Sequence, residues 1–338
     1  MDTLILTTDK NSVLKAGEIL KNGGLVAIPT ETVYGLAANA LDGEAVKKIF
    51  IAKGRPQDNP LIVHISDFSQ IDALIRERSE ILERLAKAFW PGPLTIINEK
   101  SPLVPDEVTC GLDTVAVRFP SSQIARDIIA SAGVPLAAPS ANLSGSPSPT
   151  CFEHCFADLN GRVDAIVNGP HCEVGVESTV ITIVGGKVRL LRPGAVTVEM
   201  LQSIAGEVEI DRAVLNQIEA GARVSSPGMK YKHYSPKAKV VMVEASGEAF
   251  AEFVQKNVTD KAAAVCFEED KIEGVKVYPW GKKDDHEAQA RLLFDLLRQT
   301  DLDGYETVYI HSPERDGLGL AVYNRLIRAA GFEVIRLG

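Results

Sequence analysis

The chain alternates between two apolar rhythms. Short runs with a two-residue period predict strands, and stretches with a 3.6-residue period predict helices. Residues 4–6 read as an edge strand, 13–22 as a helix stopped by Gly23-Gly24, and 25–28 as a short buried strand. A helix over 44–52 runs into Lys53, and a strand follows over 61–65. Residues 71–89 read as one long, charged amphipathic helix, broken by Trp90-Pro91-Gly92-Pro93. Strands are predicted over 94–97, 114–119 and 136–139, and then a helix capped by Thr150. Gly185-Gly186, between strand-like 180–184 and 187–191, is a two-residue hairpin signal.

From residue 221 to 237 the patterning stops, because prolines and a glycine interrupt it. Alternation then resumes, with strands over 239–243, 262–267, 307–311 and 333–337 and helices over 247–257, 286–299 and 318–330. The organisation predicted is α/β throughout: a larger domain over 1–210, a linker or lid over 211–237, and a smaller doubly wound domain over 238–338. The linker carries Lys230, Tyr231, Lys232, His233 and Tyr234. Such residues suit a lid over a polar ligand or a strap docked by aromatic packing.

A length of 338 residues fits two domains, and 45% hydrophobic with 24% charged residues is ordinary for a soluble globular protein. The net charge of -9 removes any global basic field for nucleic acid, so RNA contact requires a local patch. Five irregularly spaced cysteines make no disulfide framework, and neither a signal sequence nor an 18-residue apolar run is present. A cytoplasmic protein with reduced thiols is expected.

Candidate chemistry collects where predicted strands meet loops. Lys53 and Arg55 sit on a corner between a helix end and a strand, made rigid by Pro56 and Pro60. They either stabilise the helix C-terminus or bind an anion. In the strand that follows, Leu61, Val63 and Ile65 share one face, and His64 lies with Ile62 on the other. Arg118 shares a strand face with Thr114 and Ala116, so it needs a carboxylate partner from the protein or from a ligand. The loop 29–35 offers Thr30, Glu31 and Thr32 past a strand end, for a ligand or for capping a following helix. The loop 140–150, dense in hydroxyls, can approach phosphate or act as a flexible linker. Arg192 is another arginine at a strand end. Cys151, His154, Cys155, His171 and Cys172 match no common zinc spacing, so no metal ligand set is assigned. No phosphate loop, nucleophile elbow or H-E-x-x-H pair occurs, and Gly317-Leu318-Gly319 lacks the third glycine of a dinucleotide fingerprint. A set of donors and cations without a nucleophile suits binding two anionic partners side by side, as nucleotidyl transfer requires.

Four motifs in order carry a resemblance: Lys53-Gly54-Arg55, Ser140-Ala141-Asn142, the stretch Pro29 to Gly35, and the linker Ser226-Pro227-Gly228-Met229-Lys230-Tyr231-Lys232-His233-Tyr234-Ser235-Pro236. With them the chain resembles, essentially end to end, the two-domain threonylcarbamoyl-AMP synthases. The resemblance implies a YrdC-like domain, a twisted open mixed sheet with helices around a concave site, followed by a smaller Rossmann-like α/β domain. It implies condensation of L-threonine, bicarbonate and ATP to threonylcarbamoyl-AMP and pyrophosphate, with Mg²⁺ accompanying ATP. A downstream threonylcarbamoyltransferase would then modify tRNA beside the anticodon, with a weak tRNA contact possible and no membrane partner. Carried over by position, Thr32, His64, Arg118, Ala138 and Ser178 would hold threonine. Lys53, Arg55, Asn59, Thr114, Ser140, Asn142, Ser148, Arg192, Tyr231 and Tyr234 would hold ATP, with Lys53 and Arg55 catalytic. Two rivals remain: a non-catalytic RNA-binding module, and carbamoyl transfer as in hydrogenase maturation. The latter is disfavoured because no acylphosphatase-like or zinc-finger segment is evident.

Overall fold

The structure is a computed structural model that describes residues 2–216 and 234–337. The first eleven strands are β1 (Leu4–Leu6), β2 (Val26–Ile28), β3 (Gly35–Asn39), β4 (Ile62–His64), β5 (Leu94–Glu99), β6 (Thr114–Arg118), β7 (Leu136–Ala137), β8 (Ala165–Val167), β9 (Thr179–Val184), β10 (Lys187–Arg192) and β11 (Val208–Ile210). They form one mixed sheet in the order β1-β8-β2-β3-β7-β4-β6-β5-β9-β10-β11. β4 runs parallel to β6, pairing His64 with Arg118, and β5 runs antiparallel to β6, pairing Thr95 with Arg118. β9 follows β5 in direction, and β10 returns against β9. The carboxyl ends of β4, β6 and β10 and the amino ends of β5 and β9 therefore share one end of the sheet. That end carries His64, Arg118, Thr95, Ser178 and Arg192.

The predicted face alternation holds. Leu61, Val63, Ile65, Val115 and Val117 enter the main core, while Ile62, His64, Ala116 and Arg118 face the other side. Gly185 and Gly186 both adopt positive φ, 57° and 76°, as the hairpin between β9 and β10 requires.

Three expected features differ. The stretch 71–89 is two helices, Ile71–Leu74 and Glu80–Phe89. Ile75 leaves the helix in extended geometry and bridges Lys100, and Ser79 caps a new start by accepting from the Leu82 N–H at 3.3 Å. Thr150 does not cap helix Phe152–Leu159, whose N-cap is Cys151 without a side-chain bond. The Thr150 hydroxyl donates instead to Asp295 of the second domain. The loop 29–35 leads into strand β3 rather than a helix.

The second sheet comprises β12 (Lys239–Glu244), β13 (Ala262–Cys266), β14 (Lys276–Pro279), β15 (Thr307–His311) and β16 (Val334–Arg336). All pairings are parallel, in the order β14-β13-β15-β12-β16. This is the layered α/β unit that alternation predicted, with β15 placed between β12 and β13 rather than beyond β12 as in dinucleotide-binding sheets. Its helix Gly319–Ala329 is buried along its whole length. Polar residues on that helix hold the start of the linker: Asn324 donates to Val214 O at 2.6 Å and Arg328 to Ala213 O at 2.8 Å. Helix His286–Leu302 adds Arg298, which donates to Asp158 at 2.8 Å and to Pro147 O at 2.6 Å. Val33 and Val176 of the first domain belong to the second domain's apolar core, so the two units are packed together. Among the described residues no helix is long and apolar enough to cross a membrane.

Candidate active site

The corner after helix Gly43–Lys53 is set by Gly54, which closes the helix at φ 60° and turns the chain. Lys53 and Arg55 then part company. Lys53 is absent from the cavity lining and sits behind it, its Nζ donating to Ser140 O at 2.5 Å and Asn142 O at 2.6 Å, with Asn142 Oδ1 at 3.5 Å. Burial, and next the charge of Arg55, push its pKa down to about 7. Three acceptors and no donor around Nζ nevertheless favour the ammonium form. Together with the Ser144 N–H bond to Lys53 O at 2.9 Å, this fastens the loop that carries Ser140 and Asn142. Arg55 enters the cavity wall, braced by its bond to Asn59 O at 2.7 Å and by the Phe50 ring 5.6 Å beneath it. Asn59 is buried with its Oδ1 lacking a hydrogen-bond partner.

At the end of β6, Arg118 is 3% exposed and meets Glu31 at 2.6 Å. Its NH1 donates to Thr32 Oγ1 at 2.8 Å, and its Nε has no hydrogen-bond partner. Glu31 also accepts from the Ser121 N–H at 3.1 Å. Burial alone raises the Glu31 pKa, but Arg118 outweighs it and holds the group below its ordinary value. The protein thus supplies the carboxylate partner that Arg118 requires. Thr30 builds the loop: its hydroxyl donates to Val33 O at 2.6 Å and receives the Thr32 N–H at 3.2 Å. His64, buried beside Arg118, is pushed down to about 3 by burial and then by the Arg118 charge, so it is neutral at physiological pH.

On the opposite wall, Ser178 sits just before β9 and Arg192 ends β10. Arg192 Nε donates to Ser178 O at 3.0 Å and NH2 to Ser178 Oγ at 3.1 Å, while Thr95 and Ser178 hydroxyls lie 2.8 Å apart. Glu177, next in the wall, accepts from Ser148 Oγ at 2.5 Å.

One cavity brings together Thr32, Arg55, His64, Arg118, Ala138, Ser140, Ser178, Arg192 and Tyr234 from the predicted set. Lys53, Asn59, Asn142 and Ser148 are buried but absent from its lining. Thr114 lies at the far end of β6 from Arg118, on the same face and also absent from the lining. Tyr231 lies outside the described residues. Tyr234 adopts φ 64°, a conformation costly for a bulky side chain, and its ring packs on Phe294 at 5.2 Å. Glu177 was missed, although an acidic residue directly before a strand-edge serine was a usable sign. Away from the cavity, Cys155 and Cys172 are buried with thiols pushed up by burial. Cys151, Glu153 and His171 place possible ligand atoms within 4.8 Å of one another, two of them on exposed residues.

Two family models match the chain: one described as "Telomere recombination" over residues 18–194, and one described as "Threonylcarbamoyl-AMP synthase, C-terminal domain" over 196–331. The threonylcarbamoyl-AMP synthase of Pyrococcus abyssi is 45% identical over 331 residues, covering 95% of each chain. That of Bacillus subtilis is 43% identical over 340 residues, covering 98% of this chain and 96% of its own. The crystal structure of P. abyssi Sua5 complexed with L-threonine superposes with a TM-score of 0.92 at 42% identity, over 99% of this chain and all of that one. With both domains spanned at this similarity, the chain belongs to the threonylcarbamoyl-AMP synthase family.

Proposed function

We propose that the cavity is where L-threonine, bicarbonate and ATP are condensed to L-threonylcarbamoyladenylate and pyrophosphate, the first step of the threonylcarbamoyl modification of tRNA. The observation that carries this reading is the convergence of Arg55, Arg118 and Arg192, from three separate segments, on one cavity. Two anionic substrates can be held there side by side, and no nucleophilic side chain is needed.

Arg118, Thr32, His64 and Ser178 form the threonine end. Arg118 offers its free Nε to the substrate carboxylate, while Glu31 meets its NH2 and Thr32 accepts from its NH1. Neutral His64 places no charge against the substrate ammonium. Arg55, Ser140 and Arg192 form the nucleotide end, with Lys53 setting the loop behind Ser140. Once the threonine ammonium has given a proton to solvent, the free amine adds to bicarbonate with loss of water, or to CO₂ with loss of a second proton, to give a carbamate. A carbamate oxygen then attacks the α-phosphorus of ATP, and pyrophosphate leaves. Arg55 and Arg192 offset charge on the α-phosphate and leaving group. Tyr234, buried in the cavity lining, helps exclude water from the labile mixed anhydride.

Mg²⁺ enters as part of the nucleotide. Glu177, the carboxylate in the wall among the described residues, is already held by Arg325 and Ser148, and Glu31 by Arg118. Neither carboxylate would be free to hold Mg²⁺, so the chain would leave the ion to the phosphate oxygens and water and supply only the surrounding arginines. The adenylate then passes to a threonylcarbamoyltransferase acting on tRNA, and any tRNA contact of this chain is weak and local.

The test is pyrophosphate release from ATP with threonine and bicarbonate each supplied or withheld. Release that needs both is expected. A salt-dependent tRNA affinity with no threonine-dependent ATP consumption would replace this reading with an RNA-binding one.

A further inference from the structure

The second domain has no catalytic cluster in the cavity, yet one of its side chains reaches the cavity wall from behind. Arg325, on the buried helix Gly319–Ala329, is 0% exposed. Its Nε donates to Glu177 Oε2 at 2.9 Å, its NH2 to Glu177 O at 3.1 Å, and its NH1 to Pro193 O at 2.5 Å. Glu177 precedes Ser178 and Pro193 follows Arg192. One guanidinium thus pins the backbone beside both of the residues that form the far wall.

The charges matter as much as the geometry. Glu177 has two arginines within its field, and after Arg325 it is Arg192 that most favours its ionised form. Among the described residues, Arg192 has no carboxylate partner of its own and bonds only to Ser178. We infer that Arg325 is a positioning residue of the active site: by holding Glu177 through both Oε2 and the main chain, it keeps the Arg192 guanidinium available to the anionic nucleotide. Without Arg325, a buried Glu177 must find another counter-ion, and Arg192 is the neighbour that can supply one. The wall then loses its positive surplus where the triphosphate would lie. This rests on the cavity's being the condensation site, and it gives the second domain a role in nucleotide binding.

The experiment measures threonine-dependent pyrophosphate release in the full chain and in three variants, fitting KM separately for ATP and threonine. An inactive parent protein would overturn the functional reading itself. With an active parent, Arg325→Met is expected to raise the KM for ATP at least tenfold and leave that for threonine within twofold. The double variant Glu177→Gln with Arg325→Met is expected to recover to within about threefold of the parent, because the competing charge is gone while Gln still accepts from Ser148. Glu177→Gln alone is expected to lower the KM for ATP, and it keeps the inference testable if Arg325→Met does not fold. An unchanged Arg325→Met, a double variant as impaired as the single one, or a raised KM for ATP in Glu177→Gln would each overturn it. A purely structural dock predicts no rescue by removing a second charge.

Discussion

Replacing Arg118 by Met separates two roles that the structure gives this side chain. At 2.6 Å, the Coulomb attraction between Arg118 and Glu31 is about 6 kcal/mol gross at an effective dielectric near 20. Desolvation of both groups consumes part of this. The net cost of removing one partner of such a buried pair is about 3–5 kcal/mol, because the other charge stays buried alone. Glu31 then has burial raising its pKa and no Arg118 to lower it. Its folded pKa moves above its unfolded value, so its contribution is favourable at low pH and is lost as pH rises through the folded pKa. The deficit of Arg118→Met is therefore expected to be largest at pH 8 and to shrink toward pH 5. Trp90 and Trp280 are the two tryptophans, one in each domain, so a Trp280→Phe background leaves Trp90 to report urea unfolding of the first domain. Adding Glu31→Gln should recover most of the lost stability at pH 8 but none of the threonine binding. A deficit under about 1 kcal/mol at pH 8, or one independent of pH, would refute the reasoning.

Two further outcomes follow from the corner after Gly43–Lys53. Arg55→Ala should abolish pyrophosphate release while calorimetry finds threonine affinity within twofold of the parent, since Arg55 lies at the nucleotide end; normal turnover would remove it from that role. Lys53→Met should leave three carbonyl-type oxygens without their donor and cost roughly 3 kcal/mol in the first domain. It should raise the KM for ATP more than that for threonine, and equal effects on both would argue against its holding the Ser140 loop.

What was legible in the sequence was local. The two faces of β4 followed from Leu61, Val63 and Ile65 alternating with Ile62 and His64, and the hairpin of β9 and β10 from Gly185-Gly186. Helix Gly247–Asn257 follows directly from its apolar spacing. β3, with the sequence Gly-Leu-Ala-Ala-Asn, was not legible, because it carries no β-branched or aromatic residue to mark a strand. The break at Ile75 depends on a bridge to Lys100, which no local pattern encodes. The need of Arg118 for a carboxylate could be argued from its strand, but naming Glu31 required the fold, since β6 and the loop 29–35 lie far apart in the chain. Arg325 had a sign that was not used: it interrupts a helix whose neighbours, Leu320 to Tyr323, Leu326 and Ile327, are almost all apolar. A charged residue in such a helix must meet a partner, and the partner lay in the other domain.

The corner at Lys53 also shows why overall charge was a poor guide to the site. The chain carries a net charge of -9, yet among the described residues the cavity wall and the groups bound directly to it bring Arg55, Arg118, Arg192 and Arg325 together with Glu31 and Glu177, while Asp58 and Asp158 lie near Arg55 and Lys53 behind them. Each of the two glutamates is bound by an arginine that also serves the architecture, so the surplus in the wall is positive and fixed in place. Such preorganised charge costs little reorganisation when an anion arrives. An acidic exterior would repel nucleotides weakly at physiological ionic strength, where screening acts within about 8 Å. Inside the wall, where Arg118 and Arg192 are nearly sequestered from water, that screening is much reduced. Selectivity for two anions can therefore arise from a few buried arginines whose neighbouring carboxylates are already paired, with the second domain holding Glu177 through Arg325.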